Sequence, residues 1–209
     1  MALTLTDESL LRARLHALGL DGAGAADTEA RSTGPERVRG VVAHLFALQG
    51  QDWRSSRWAV GVRAPGTTSA DVVAALNAGA VVRSWPMRGT VHLVPAEDIG
   101  WMQQLTNPRV VAGAAKRRAF LGMSDAVLER ATEVSLAALA GTSLTRTELS
   151  QAWTDAGIDW QPSWRYHLIW WLCQNGFTTF GPVSERAAAQ ADPEPRLVLA
   201  EEWIPRPRS

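Results

Sequence analysis

The sequence predicts a mainly α-helical fold with small β-hairpins, arranged as tandem winged helix-turn-helix domains. Apolar residues recur at three- and four-residue steps across several segments that begin with capping residues, the pattern of buried helix stripes. Two β-prone runs, 80–85 and 88–94, flank a short Pro-containing turn and read as a hairpin. The order helix, helix, hairpin then recurs, and helices closed by a hairpin are the winged form of the helix-turn-helix. The two units are expected to divide near Leu105, as residues 1–104 and 105–209, without residue-level similarity between them.

In the first half, Thr6 or Asp7 caps a helix with Leu10, Leu11, Leu15 and Leu18 along one side. A Gly/Ala/Ser-rich loop covers 20–34, and Pro35 suits the first turn of a second helix. That helix carries Val38, Val41, Val42, Leu45, Phe46 and Leu48, and Gly50 interrupts it. Residues 53–63 read as a helix, and Ser69 caps another that ends near Gly79. The hairpin follows, and in its second strand Arg88, Thr90 and His92 alternate onto one face.

In the second half, Pro95 opens a helix through Leu105, and Asn107-Pro108 begins another that bears Arg109 and the cluster Lys116-Arg117-Arg118. Ser124 caps a helix to about Ala140, and Thr145 with Glu148 three residues on forms a capping box for the next. A turn at 157–162 leads to an aromatic-rich helix, 163–175, ended by Gly176. Residues 177–183 and 196–200 make a second hairpin across an Ala- and Pro-rich loop, and 204–209 read as a linker.

Composition narrows the function. The 209 residues suffice for one large or two small packed units, and 46% hydrophobic with 20% charged residues is ordinary globular composition. Formal net charge is zero, so nucleic-acid binding would have to come from a local patch. Cys173 is the only cysteine, which excludes an intramolecular disulfide and a cysteine zinc site. His16, His44, His92 and His167 lack metal-ligand spacing, so no metal is expected. The start of the chain lacks the basic and apolar blocks of a signal peptide, and no apolar run has membrane-spanning length. A cytoplasmic protein without membrane contact is expected.

Gln49-Gly50-Gln51-Asp52 is the most informative stretch. On a continuing helix, residues two apart point about 200° apart and cannot share a target. If the chain extends at Gly50, both amides face one way and offer four donors and two acceptors without charge. Such a pair can hold a water or read a base edge. The plain alternative is a solvated helix end with Asp52 as N-cap of the next helix.

With Arg57-Trp58-Ala59-Val60-Gly61-Val62-Arg63 and Val82-Arg83-Ser84-Trp85-Pro86-Met87-Arg88-Gly89-Thr90-Val91-His92-Leu93-Val94, this stretch resembles the AlkZ-like winged-helix DNA glycosylases. The likeness is to the azinomycin-resistance type, related to enzymes that unhook interstrand crosslinks. It implies tandem winged-helix units in a C-shaped cradle around double-stranded DNA, alkylated or crosslinked. It also implies hydrolysis of the N-glycosidic bond of N7-alkylated purines, with neither metal nor organic cofactor, in a bacterial nucleoid-associated protein. A monomer is expected.

In that family a Gln-x-Gln motif is catalytic, which falls here on Gln49 and Gln51. The middle residue is usually aliphatic there and is Gly50 here. Family members are also longer and carry a third winged-helix unit, so this chain is expected to cover the first two. Gln51 is expected to place water, with Gln49 on the sugar, the base or its neighbouring amide. DNA contacts are expected from Arg88, Thr90, His92, Arg109, Lys116, Arg117 and Arg118. Each has a plainer alternative as solvated surface; Asp52 could offset oxocarbenium charge or help activate water, with N-cap as its plainer alternative. Trp164, Trp170 and Trp171 read mostly as core, as do His44 and Cys173. A non-catalytic winged-helix DNA-binding protein is the alternative function.

Overall fold

The computed structural model describes residues 6–21, 33–184 and 194–204. Its helices are α1 (Asp7–Ala17), α2 (Gly34–His44), α3 (Trp53–Gly61), α4 (Ser69–Asn77), α5 (Ile99–Ala112), α6 (Ala114–Leu121), α7 (Asp125–Leu139), α8 (Arg146–Asp155), α9 (Pro162–Gln174) and α10 (Ala200–Trp203). Strands β1 (Leu48–Gln49), β2 (Val81–Met87), β3 (Thr90–Pro95), β4 (Thr178–Phe180) and β5 (Leu197–Leu199) form one antiparallel sheet, ordered β1-β3-β2-β4-β5. The fold is mainly helical with a small sheet, and no described helix is long and apolar enough to cross a membrane. The expected loop at 22–32, the Ala- and Pro-rich loop at 185–193 and the tail at 205–209 lie outside the described residues.

Local signals set the helix starts. The side chains of Thr6, Asp52, Ser124 and Thr145 each accept an N–H from the first turn, and Glu148 closes a box with Thr145. Pro35 stands in the first turn of α2. For α4 the capping residue is Thr68, boxed with Asp71, one position before the expected Ser69.

The turn between β2 and β3 is Arg88-Gly89, not the expected segment around Pro86. Both turn residues have positive φ, 55° and 65°, as a two-residue hairpin turn matched to strand twist requires. Pro86 instead sits inside β2 where the register shifts between Ser84 and Met87, a place where a missing N–H breaks no ladder bond.

The two hairpins that the sequence presents separately are halves of one sheet. Arg83 of β2 pairs with Phe180 of β4. On one face, Val82 and Val94 meet Ile99 and Met102 of α5. On the other, Val81 and Leu93 cover Val38, Val42, Val72 and Leu76. Trp85 and Val91 reach across into the largest core, with Leu149, Trp153, Leu168 and Phe180.

Helix α5 also runs unbroken past residue 105, where two helices were expected to meet. Pro108 lies inside it and the break comes at Gly113. Tertiary bonds hold the helix through the proline. The Thr106 hydroxyl donates to the carbonyl of Pro86 at 2.6 Å, and the Asn107 side chain donates to the carbonyl of Gln174 on α9 and accepts from its side-chain amide. The leucine stripe of α1 is not buried by the described residues. His44, expected in the core, is exposed but satisfied, donating Nε2–H to Ala17 O at 2.9 Å.

Candidate active site

Helix α2 ends at His44 rather than continuing to Gly50, and Phe46 reverses the chain with φ of 61°. Leu48 then pairs with Leu93 and Gln49 with His92, so the chain is extended before it reaches the glycine. Strand pairing wins over helix continuation because Leu48 packs on the core containing Leu93 and Val42. The two amides converge, with Gln49 Nε2 donating to Gln51 Oε1 at 2.9 Å. Both side chains are exposed on the free edge of the sheet.

Gly50 is fixed from three sides. Its N–H donates to Val91 O at 2.8 Å, and its carbonyl accepts from Arg83 Nε at 2.9 Å. A Cβ at this position would come within 3.2 Å of the His92 and Leu93 backbone, so the close approach of β1 to β3 favours glycine. Arg83 also reaches the carbonyl of Gln51 at 3.4 Å, and its guanidinium lies 6.0 Å from the Trp53 ring centroid.

Asp52 and His92 bring little charge to the amides themselves. Asp52 caps α3, and the Ser55 hydroxyl and N–H hold its carboxyl below the usual range. His92 is half-buried, and its Nδ1–H donates to Thr90 O at 2.9 Å. Burial lowers its pKa, Arg88 adds to the effect and the Thr90 bond opposes it. The imidazole is therefore neutral at pH 7, across from Gln49 in register. Arg88 does not join Thr90 and His92 on a strand face, because it is a turn residue.

Gln51 lines a cleft of about 390 Å³ with Arg83, Trp85, Arg146, Arg165 and Tyr166. Its walls come from the motif segment, from the β2–β3 hairpin and from α8 and α9. Trp85 meets Tyr166 edge-on at 6.3 Å and Phe180 at 6.0 Å, and the Arg146 guanidinium lies over Phe180 at 4.9 Å. Of these residues only Arg83 and Trp85 fall in the quoted motifs, and neither had a role assigned. The pairing of β2 with β4 and the packing of α9 on β2 bring Arg146, Arg165 and Tyr166 to Gln51.

Tyr166 also lines a second cleft of about 510 Å³ with Arg117, His167 and Trp170, beside Gly89. His167 is buried, and burial, with Arg118 and Arg117 nearby, pushes its pKa down to about 4.

The expected basic cluster is split. Arg109, Lys116 and Arg117 are exposed, and Arg117 lies over Phe120 at 5.1 Å. Arg118 turns inward to Asp125 at 3.0 Å and stacks over Trp171 at 5.3 Å. Trp164 and Trp170 are core and Trp171 is partly covered. Cys173 is fully buried, with its thiol pushed up to about 12 by burial. Among the described residues no cluster of His, Cys, Asp and Glu could hold a metal ion.

A family model described as DNA glycosylase AlkZ-like matches residues 42–209, which includes the amide pair and every residue of the arginine-lined cleft. Among solved structures, the chain is similar to the Streptomyces sahachiroi DNA glycosylase AlkZ, with a TM-score of 0.67 and 19% sequence identity over 93% of this chain. The match takes in 51% of that protein, so this chain spans about half its length. At that identity the likeness concerns the fold. No curated protein sequence matches. On the extent of the family match, the chain belongs to the AlkZ-like DNA glycosylase family.

Proposed function

We propose that the chain hydrolyses the N-glycosidic bond of N7-alkylated purines, crosslinked ones included, in double-stranded DNA. The observation that carries this reading is the Gln49–Gln51 amide pair, joined at 2.9 Å on an open sheet edge. An N7-alkylpurine is already cationic and leaves without being protonated. What remains is to aim a water at the anomeric carbon and to stabilise an oxocarbenium-like sugar.

The Gln49 N–H polarises the Gln51 carbonyl, and the second lone pair of that oxygen accepts a hydrogen bond from water. The water oxygen adds to the anomeric carbon and the C–N bond breaks. Its electrons neutralise the departing base, and the water's proton passes to solvent. Neutral amide oxygens, preorganised by the Arg83 bonds, face the developing positive charge. No metal or organic cofactor has a part in this reading.

The same reading keeps two winged-helix units, each with helices ahead of a hairpin, although the expected division between 104 and 105 falls inside α5. Exposed Arg88, Arg109, Lys116 and Arg117 are then phosphate contacts, while Arg118 is withdrawn by its bond to Asp125.

The test is release of free base from duplex DNA carrying N7-methylguanine or a bulkier N7 adduct. Free base with an intact abasic strand supports the reading. Binding to duplex without release would instead identify a non-catalytic DNA-binding relative.

A further inference from the structure

We propose that the cleft beside Gln51 is a phosphate subsite that takes the backbone phosphodiester next to the nucleotide being cut. It rests on the glycosylase reading only for which nucleotide is meant. Three arginines line the cleft, and no carboxylate is among the described residues that do so. The three differ in what holds them. Arg83 is only 7% exposed, and its guanidinium bonds the carbonyls of Gly50 and Gln51, so its charge is built in.

The Arg146 guanidinium lies over the Phe180 ring at 4.9 Å, and its ion pair with Glu194 at 3.1 Å is solvent-exposed and contributes little. Arg165, exposed on α9, has no hydrogen bond or ion pair to another described residue. An oriented guanidinium beside an available one makes a fork for phosphate oxygens, and the Tyr166 hydroxyl adds a donor on the same wall.

Charge decides which part of the substrate fits. An N7-alkylated base is a cation, and three guanidinium groups around one cleft repel it. A phosphodiester is attracted, and its negative charge then lies beside the sugar on which positive charge develops. Because Gln51 lines the same cleft, the phosphate and the water-holding amide are neighbours.

The experiment is duplex binding by fluorescence anisotropy across a salt series, with wild type, Arg165→Gln and, as a distant control, Arg130→Gln. Arg165→Gln is expected to weaken binding severalfold and to make the slope of log K against log salt shallower by about 1, while Arg130→Gln matches wild type. A duplex with one neutral methylphosphonate linkage beside the lesion is expected to bind wild type and Arg165→Gln alike.

Unchanged affinity and slope in Arg165→Gln would overturn the subsite, even if base release stays normal. A loss equal in both variants would overturn it too. If the variant loses affinity for a free nucleoside monophosphate but not for duplex, the site takes small anions and the DNA assignment falls. Binding that follows expectation without any base release would leave the subsite standing and sink the glycosylase reading instead.

Discussion

Arg83 Nε donates to the carbonyl of Gly50 at 2.9 Å, across 33 residues of sequence, and so ties the motif strand to the centre of the sheet. Without this bond and the weaker one to Gln51 O, two backbone carbonyls beside the candidate catalytic amides lose their donor. Arg83→Met is expected to cost about 3 kcal/mol of stability, since unsatisfied buried polar groups cost roughly 1–3 kcal/mol each. Urea denaturation measures this. In variant that remains folded, base release should fall further than the loss of folded protein explains.

Gly50→Ala tests the close approach of β1 to β3. The new methyl meets the His92 and Leu93 backbone at 3.2 Å, and about 1–2 kcal/mol of strain is expected. Relief of the contact needs a shift of only a few tenths of an ångström, which is expected to loosen the Gln49–Gln51 bond and lower base release. A variant with wild-type stability and wild-type release would show that the approach is not needed.

Asp52→Asn separates the capping role from a catalytic one. Asparagine caps as well as aspartate does, so the variant should keep its stability and most of its base release. Loss of release with an unchanged melting temperature would make the carboxylate a participant in the chemistry.

His167 predicts a pH dependence of stability. Its folded pKa of about 4 lies below the ordinary histidine value, so the unfolded chain binds more protons between the two. The neutral ring's contribution is complete above about pH 6.5 and is lost as pH falls towards 4. Melting temperatures of wild type and His167→Gln should therefore converge on acidification over that interval. Parallel curves would show that burial does not lower the histidine's pKa in the fold.

These features were unequally legible in the sequence. The Thr145–Glu148 box and the Ser124 cap lie within one turn of the helices they start, and the sequence reading placed both. Convergence of Gln49 and Gln51 was one of two readings open in the sequence, because it needs only an extended backbone between residues two apart. The chain extends earlier than Gly50 because Leu48 pairs with Leu93, a contact set by the sheet.

Pro108 read as a helix start, yet bonds from Thr106 and Asn107 to distant segments carry α5 through it. The arginine-lined cleft was the least visible feature. Arg83, Arg146 and Arg165 meet through the pairing of Arg83 with Phe180 and the packing of α9 on β2, long-range contacts that no local pattern encodes.

The most direct test of the central claim is the single-turnover rate of N7-methylguanine release from duplex DNA. Wild type would be compared with Gln49→Ala, Gln51→Ala and the double variant, each confirmed to be folded. Because the amides are joined at 2.9 Å and act as one unit, either single substitution should cost about a hundredfold, and the double variant little more. Release at the wild-type rate by the double variant would contradict the claim and move the chemistry away from this edge of the sheet.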